Sequence, residues 1–227
     1  MAKQAEKYIE PLEWGILERG FHKEKNAVSE SLFSIGNEYC GIRGYVEEGV
    51  SAPSLQGCYF NGIYEWAREE NNTAYRGIIK RGHYMVNAVD PIKTVIYIDG
   101  KKLDIVKAKI TDFERRLDFT DGLYSRSYTV LTKKGRVSFS FTRFLCMDDC
   151  ANLYQRISID ADYPAEIKLY CGISFDVKHG GKKGRWTKLA SKTDGLQSVI
   201  LGRTQSTNQY VACKQSVALS APARISA

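Results

Sequence analysis

The stretch ESLFSIGNEYCGIRGY, from Glu30 to Tyr45, decides how this chain is read. Phe33 and Ile35 alternate with polar or small neighbours, which fits a strand with one buried face. Gly36-Asn37 follow as a turn pair, because both residue types tolerate left-handed backbone angles. The chain then re-extends, with Tyr39, Gly41 and Arg43 on one face and Cys40 and Ile42 on the other. Gly36, Gly41 and Gly44 cost backbone entropy in so short a stretch, so each is expected to serve a turn, a bulge or a close backbone approach. The lysine and hydroxyl residue of a phosphate loop are missing.

Outward from this stretch, turn signals separate short strand-like runs. A polar lead-in over residues 1–12 precedes a first strand from Trp14 to Phe21. Val46 to Gln56 is a loop, and Gly57 to Trp66 is strand-like. Val95 to Leu103 reads as a hairpin around Asp99-Gly100, a pair suited to the type I′ turn that matches strand twist. Thr120-Asp121-Gly122 separates Ile110–Asp118 from Leu123–Leu131. Lys133-Lys134-Gly135 leads into Arg136–Cys146, where Val137, Phe139, Phe141, Arg143 and Leu145 share one face at period two. Asn152–Ala161 and Glu166–Phe175 continue the pattern, with weaker strands at Trp186–Ala190, Gln197–Gly202 and Tyr210–Leu219. No long amphipathic helix is visible. The expectation is an all-β chain, an antiparallel sandwich or barrel with little helix.

A chain of 227 residues has room for one large β domain or two small ones. Its formal net charge is +7, and the basic residues are spread. Lys101-Lys102, Lys133-Lys134 and Lys182-Lys183 read as solvated turns rather than the single basic stripe of a nucleic-acid binder. Six cysteines form no C-x-x-C, and with three histidines they make a poor zinc pattern. Most of them sit in strand-like runs and read as small buried thiols, with a reducing compartment as the default. The opening MAKQAEKYIEP has no apolar core of a secretory signal, and no apolar run approaches a membrane span. A cytoplasmic location with no membrane or nucleic-acid partner is therefore expected.

The 30–45 stretch resembles the F-x-x-G-N-G-x-x-G-x-R-G segment of glycoside hydrolase family 65, with Phe33, Gly36, Asn37, Gly41, Arg43 and Gly44 matching. Glu38 stands where the family usually has the second glycine. Gly57-Cys58-Tyr59-Phe60-Asn61-Gly62-Ile63-Tyr64-Glu65 is similar to the family's G-x-Y-x-N-G-x-Y-E. Met85-Val86-Asn87, Arg116-Leu117-Asp118 with Gly122, Thr142-Arg143-Phe144 and Asn152-Leu153 match further motifs in order. The family includes maltose, trehalose, kojibiose and nigerose phosphorylases and some trehalose hydrolases.

The resemblance concerns the N-terminal domain only, which in that family is a large antiparallel β-sandwich similar to the galactose mutarotase super-sandwich. It implies that residues 13–219 are this domain and that 220–227 begin a linker. It also implies that a catalytic (α/α)6 barrel, holding the general-acid glutamate and the phosphate-binding residues, lies outside the sequence. No catalytic residue and no metal site are then expected here. No cofactor is expected either, beyond inorganic phosphate as co-substrate of the parent enzyme if it is a phosphorylase. The parent would act on an α-linked glucosyl disaccharide such as maltose, by inverting phosphorolysis. The implied partners are the chain's own C-terminal barrel, the disaccharide and a second copy in a homodimer.

Glycoside cleavage usually needs two convergent carboxyl groups. Glu47-Glu48, Glu69-Glu70 and Asp148-Asp149 are adjacent pairs, which on a strand point to opposite faces; they read as solvated loop charges. Glu65 between Tyr64 and Trp66 has a sugar-binding composition, since rings stack on sugar faces and carboxylates accept from hydroxyls. The same residues would also suit a domain seam. Arg43 carries a donor fork for a carboxylate or phosphate, or for an ion pair that holds its loop. Asn37 and Asn61 suit turn or loop stabilisation better than ligand binding. His22, His83 and His179 are isolated, and Trp186 reads as core or seam. The candidates for carbohydrate contact or domain seam are therefore Arg43, Asn61, Tyr64, Glu65 and Trp66. Two readings stand: a non-catalytic N-terminal domain, or a stand-alone carbohydrate-binding β-sandwich. An epimerase-like enzyme would need a positioned histidine and glutamate, and the sparse histidines argue against it.

Overall fold

The computed structural model describes residues 7–68, 81–178 and 184–225. In chain order it forms β1 (Ile9–Leu12), β2 (Gly15–Arg19), a 3-10 turn (Lys23–Lys25), helix α1 (Asn26–Leu32), β3 (Ile35–Gly36) and β4 (Cys40–Ile42). Next come β5 (Cys58–Phe60), β6 (Tyr64–Arg68), β7 (Arg81–Met85), β8 (Asp90–Ile98), β9 (Lys101–Lys102), β10 (Ile110–Asp118) and β11 (Leu123–Leu131). The chain continues with β12 (Arg136–Leu145), β13 (Leu153–Ala161), β14 (Ile167–Ser174), β15 (Trp186–Asp194), β16 (Gln197–Thr204) and β17 (Tyr210–Ser216). The expectation of an all-β, antiparallel fold with little helix is met. The chain divides into two compact units, Met1–Gln56 with Thr94–Tyr170, and Gly57–Lys93 with Cys171–Ala227.

The first unit is built on a six-stranded sheet in the order β1-β2-β10-β11-β12-β13, every neighbour antiparallel. Period-two alternation sorts its side chains. On β12, Val137, Phe139, Phe141, Arg143 and Leu145 are all buried, the face read from the sequence. On β11 the inward residues are Tyr124, Arg126, Tyr128 and Val130. Register sets Tyr128 opposite Phe139 and Arg126 opposite Phe141. The Tyr128 ring stacks on Phe139 at 5.5 Å and on Phe141 at 6.0 Å. Each such ring, fully buried, contributes about 1.5–3 kcal/mol from apolar area alone. Ile96, Ile98, Leu103, Ile105 and Phe113 complete this core. The Asp99-Gly100 turn has φ of 48° and 77°, the double left-handed signature of type I′, and joins β8 to β9.

The second unit contains an antiparallel sheet β15-β16-β17 and the antiparallel pair β6-β7. Val86, Ala88, Val89, Phe175, Val177, Trp186, Ile200 and Val211 form its core. Trp186 is buried, as read from the sequence, and its Nε1 donates to the Asn87 carbonyl at 2.8 Å. The Asn87 side chain accepts from the Cys58 N–H and donates to the Lys178 carbonyl, each at 2.9 Å, so one amide ties three segments together.

Four local expectations need correction. Residues 9–12 form β1 rather than belonging wholly to a polar lead-in, because they add to the edge of β2. Phe33 is not on a strand; it caps α1, whose last turn donates the Phe33 N–H to the Ser29 carbonyl. Gly36 and Asn37 are absent from the left-handed region. The turn is made instead by the Asn37 side chain, whose Oδ1 accepts from the Tyr39 and Cys40 N–H groups at 2.9 Å. The run from Gly57 to Trp66 is broken at Asn61-Gly62, where Gly62 has φ of 81°. The reading of a close approach at Gly44 holds: a Cβ there would sit 2.7 Å from the Phe33 Cβ and from its carbonyl oxygen.

Candidate functional site

The first unit places an arginine on the inward face of three neighbouring strands: Arg115 on β10, Arg126 on β11 and Arg143 on β12, each at most 1% exposed. Removing a charge from water costs several kcal/mol unless a partner replaces the water. Here the partners are glutamates. The segment after β4 is not a strand, so Glu47 and Glu48 do not diverge; both reach the same guanidinium. Arg126 Nη1 donates to Glu48 Oε1 at 2.8 Å, and Nη2 donates to Glu48 Oε2 and Glu47 Oε2, each at 2.6 Å. Arg143 Nη1 donates to Glu47 Oε1 at 3.0 Å, and Gln155 Nε2 to the same oxygen at 3.1 Å. Tyr128 donates its hydroxyl to Glu48 Oε1 at 2.6 Å. The guanidiniums also lie over rings, Arg126 at 4.1 Å from the Phe141 centroid and Arg143 at 4.2 Å from that of Tyr124. Glu47 and Glu48 are thus buried counterions, not the solvated loop charges expected.

Burial pulls the Glu47 carboxyl up, but the Arg126 and Arg143 guanidiniums outweigh it and hold the group below the usual carboxylate range. Burial and then the Glu48 charge push the Tyr128 hydroxyl well above its usual range. A carboxylate in this state is an anion already fully engaged, and it has no proton to donate. Glu30 is also buried among hydrogen-bond donors. It accepts from Asn26 Nδ2 at 2.8 Å, from the Ser54 hydroxyl and from the Leu55 N–H, while Asn26 Oδ1 accepts from Arg115 Nη2 at 3.0 Å.

Of the sequence candidates, Arg43 lies in the first unit, half-buried. Its Nη1 donates to the Ser31 hydroxyl, and its carbonyl accepts from Arg143 Nη2 at 2.8 Å. The other four lie in the second unit. Strand alternation on β6 separates them: Tyr64 and Trp66 share the exposed face, and Glu65 points the other way, fully buried. Glu65 Oε2 accepts from the Gln205 N–H at 3.0 Å and the Ser206 N–H at 3.1 Å, and Oε1 from the Thr207 N–H at 3.2 Å. The acid and the aromatics that looked like one sugar platform are therefore on opposite faces. Trp66 packs edge-on against His83 with centroids 4.7 Å apart. Asn61 sits exposed in the turn before β6.

Asn37 stabilises its loop as read, adding donations from Nδ2 to the carbonyls of Cys146 and Cys150 at 2.8 and 2.9 Å. Asp148 and Asp149 are exposed. Glu69-Glu70, Lys182-Lys183 and His179 lie outside the described residues. All six cysteines are free thiols, and burial, with the nearby Cys150, raises Cys40 to about 11. Among the described residues no group of His, Cys, Asp and Glu is placed to hold a metal. No described helix is long and apolar enough to cross a membrane. Sequence reasoning missed Arg126 and Arg115 as core charges. The available signal was Arg143, which shares the alternating apolar face of β12.

Comparison with known proteins fits this architecture. Residues 16–226 match the model of the glycosyl hydrolase family 65 N-terminal domain, and the chain belongs to that family. It is 29% identical to an alpha,alpha-trehalose phosphorylase of Thermoanaerobacter brockii over 94% of its own length. It is 32% identical to a maltose phosphorylase of Bacillus subtilis strain 168 over 66%. A solved structure from the human microbiome, provisionally named a kojibiose phosphorylase, superposes with a TM-score of 0.84 at 39% identity, covering 91% of this chain. That match agrees with the β-sandwich class expected. The chain spans 30%, 20% and 28% of these three relatives, respectively.

Proposed function

We propose that this chain is the non-catalytic N-terminal domain of a family 65 disaccharide phosphorylase or hydrolase, supporting a catalytic (α/α)6 barrel carried by the rest of the parent protein. One observation carries the reading. Glu47 and Glu48 are engaged by buried guanidiniums, and Glu65 by backbone N–H groups of the 205–207 turn. Neither arrangement leaves a carboxyl poised over a glycosidic oxygen. The relatives' greater length supports the same view.

In this reading the parent phosphorolyses an α-linked glucosyl disaccharide such as maltose with inversion, using inorganic phosphate as co-substrate, in the cytoplasm. Tyr64 and Trp66, with Asn61 beside them, present exposed aromatic surface that suits a seam to the barrel, substrate access or a homodimer contact. The test incubates the purified chain with maltose, trehalose, kojibiose and nigerose, with and without phosphate. The expected result is a folded, β-rich protein that releases neither glucose nor glucose 1-phosphate; phosphate-dependent release would overturn the reading.

A second reading, a stand-alone carbohydrate-binding module, draws on the same exposed pair. It requires maltose to bind the chain by calorimetry and Trp66→Ala to abolish the heat. Absence of heat at about millimolar sugar, where weak sites still register, removes it.

A further inference from the structure

Lys101-Lys102 and Lys133-Lys134 lie some thirty residues apart in sequence, and each pair alone looks like a solvated turn. The first unit brings them to one cavity of about 850 Å³, together with Lys107 and Lys109. The floor of the cavity is aliphatic: Ile98, Leu103 and Val130 are buried, and Val50 and Leu131 are partly so. The volume falls within the range of small-molecule sites, about 300–1,000 Å³.

The acids at the rim are already engaged. Asp99 accepts from the Glu166 N–H at 3.1 Å and the Tyr163 hydroxyl at 3.0 Å, and pairs with Lys134 at 3.1 Å. Asp104 accepts from the Val106 N–H at 3.1 Å and pairs with Lys107 at 3.5 Å. Glu48 is held by Arg126. Lys101, Lys102, Lys109 and Lys133 are exposed and pair with no carboxylate among the described residues.

Four uncompensated ammonium groups around a concave, low-dielectric wall focus a positive potential into the cavity. Among the described residues no arginine lines it, and lysines alone do not offer the forked geometry that selects a single carboxylate. Lysines act as flexible point charges and suit a chain of phosphates in several poses. The aliphatic floor gives a bare inorganic ion nothing to bury but rewards an apolar body.

We propose that this cavity binds a small organic polyphosphate, its phosphates against Lys101, Lys102, Lys109 and Lys133 and its apolar body on the Ile98, Leu103 and Val130 floor. The test is calorimetry on the full 227-residue chain with adenosine triphosphate, inorganic tripolyphosphate and adenosine. In about 50 mM NaCl, where exposed charges are weakly screened, adenosine triphosphate is expected to bind best and adenosine worst. Tripolyphosphate should be at least about fivefold weaker than the nucleotide, since it leaves the floor uncovered. Substituting Lys102, Lys109 and Lys133 together by Gln should weaken the nucleotide at least about tenfold with an unchanged melting temperature, because all three side chains are exposed. A matched chain with Lys188, Lys192 and Lys214 changed to Gln should bind as the unaltered chain does. No nucleotide binding, equal affinity for nucleotide and tripolyphosphate, or equal losses in the two triple variants would each overturn the proposal.

Discussion

The two compact units both bury glutamate, and they neutralise it differently. In the first, Glu47 and Glu48 face the side chains of Arg126 and Arg143 from strands far away in sequence. In the second, Glu65 faces the main chain of the turn at residues 205–207. The guanidiniums bring full compensating charges and couple two strands of a sheet, β11 and β12, to the loop that follows β4. Backbone N–H groups bring only dipoles, and here they tie the 205–207 turn to one carboxylate. The first solution is electrostatic and sensitive to pH; the second fixes the shape of one loop.

The contrast is most sharply broken by Arg126→Met, which leaves two carboxylates buried against one remaining guanidinium. Unfolding of the first unit should become easier by about 3–5 kcal/mol in urea denaturation, the cost of an uncompensated buried charge. Glu65→Ala should come next, at about 2–3 kcal/mol, because it removes the carboxylate acceptor of the Ser206 and Thr207 N–H groups. Its effect should be read through the fluorescence of Trp186, which is buried in the second unit. Gly44→Ala tests packing rather than charge. Its new methyl group meets Phe33 main chain as well as side chain, so about 2 kcal/mol is expected.

The pH dependence reports on the first solution. Glu47 is held below the usual carboxylate range in the folded chain, so its contribution is complete above about pH 4.3 and is lost as pH falls through the lower folded value. Tyr128, raised by burial and Glu48, contributes fully below about pH 10 and loses that contribution as pH climbs through its folded value. Urea midpoints measured from acid to alkaline pH should fall at both ends, and Glu47→Gln should flatten the acid limb. An unchanged acid limb in that variant would assign the loss to other carboxylates. The smallest effect belongs to Trp66→Ala, which removes an exposed edge-on contact with His83 and should cost about 1 kcal/mol or less.

Much of this was legible in the sequence because strands sort residues by parity. The buried face of β12, the Asp99-Gly100 hairpin and the burial of Trp186 follow from local pattern alone. Glu47 and Glu48 were misread because the rule that adjacent residues diverge holds on a strand, and residues 43–48 are not one. The partners are also distant: Arg126 lies 78 residues from Glu48. Glu65 was grouped with Tyr64 and Trp66 by adjacency, whereas the same parity rule applied to β6 would have put it on the other face. Nothing local signals that Lys101-Lys102 and Lys133-Lys134 share a cavity, since that depends on how β9 and the turn before β12 are brought together.

The buried glutamates are, on this account, the fold's own counterions, and a double-mutant cycle between Arg126 and Glu48 tests that most directly. Urea denaturation of Arg126→Met, Glu48→Gln and the double variant would be compared with the unaltered chain. The double variant should be more stable than the sum of the single losses by at least about 2 kcal/mol, the coupling of a buried pair. Additive losses, within about 0.5 kcal/mol, would contradict the account.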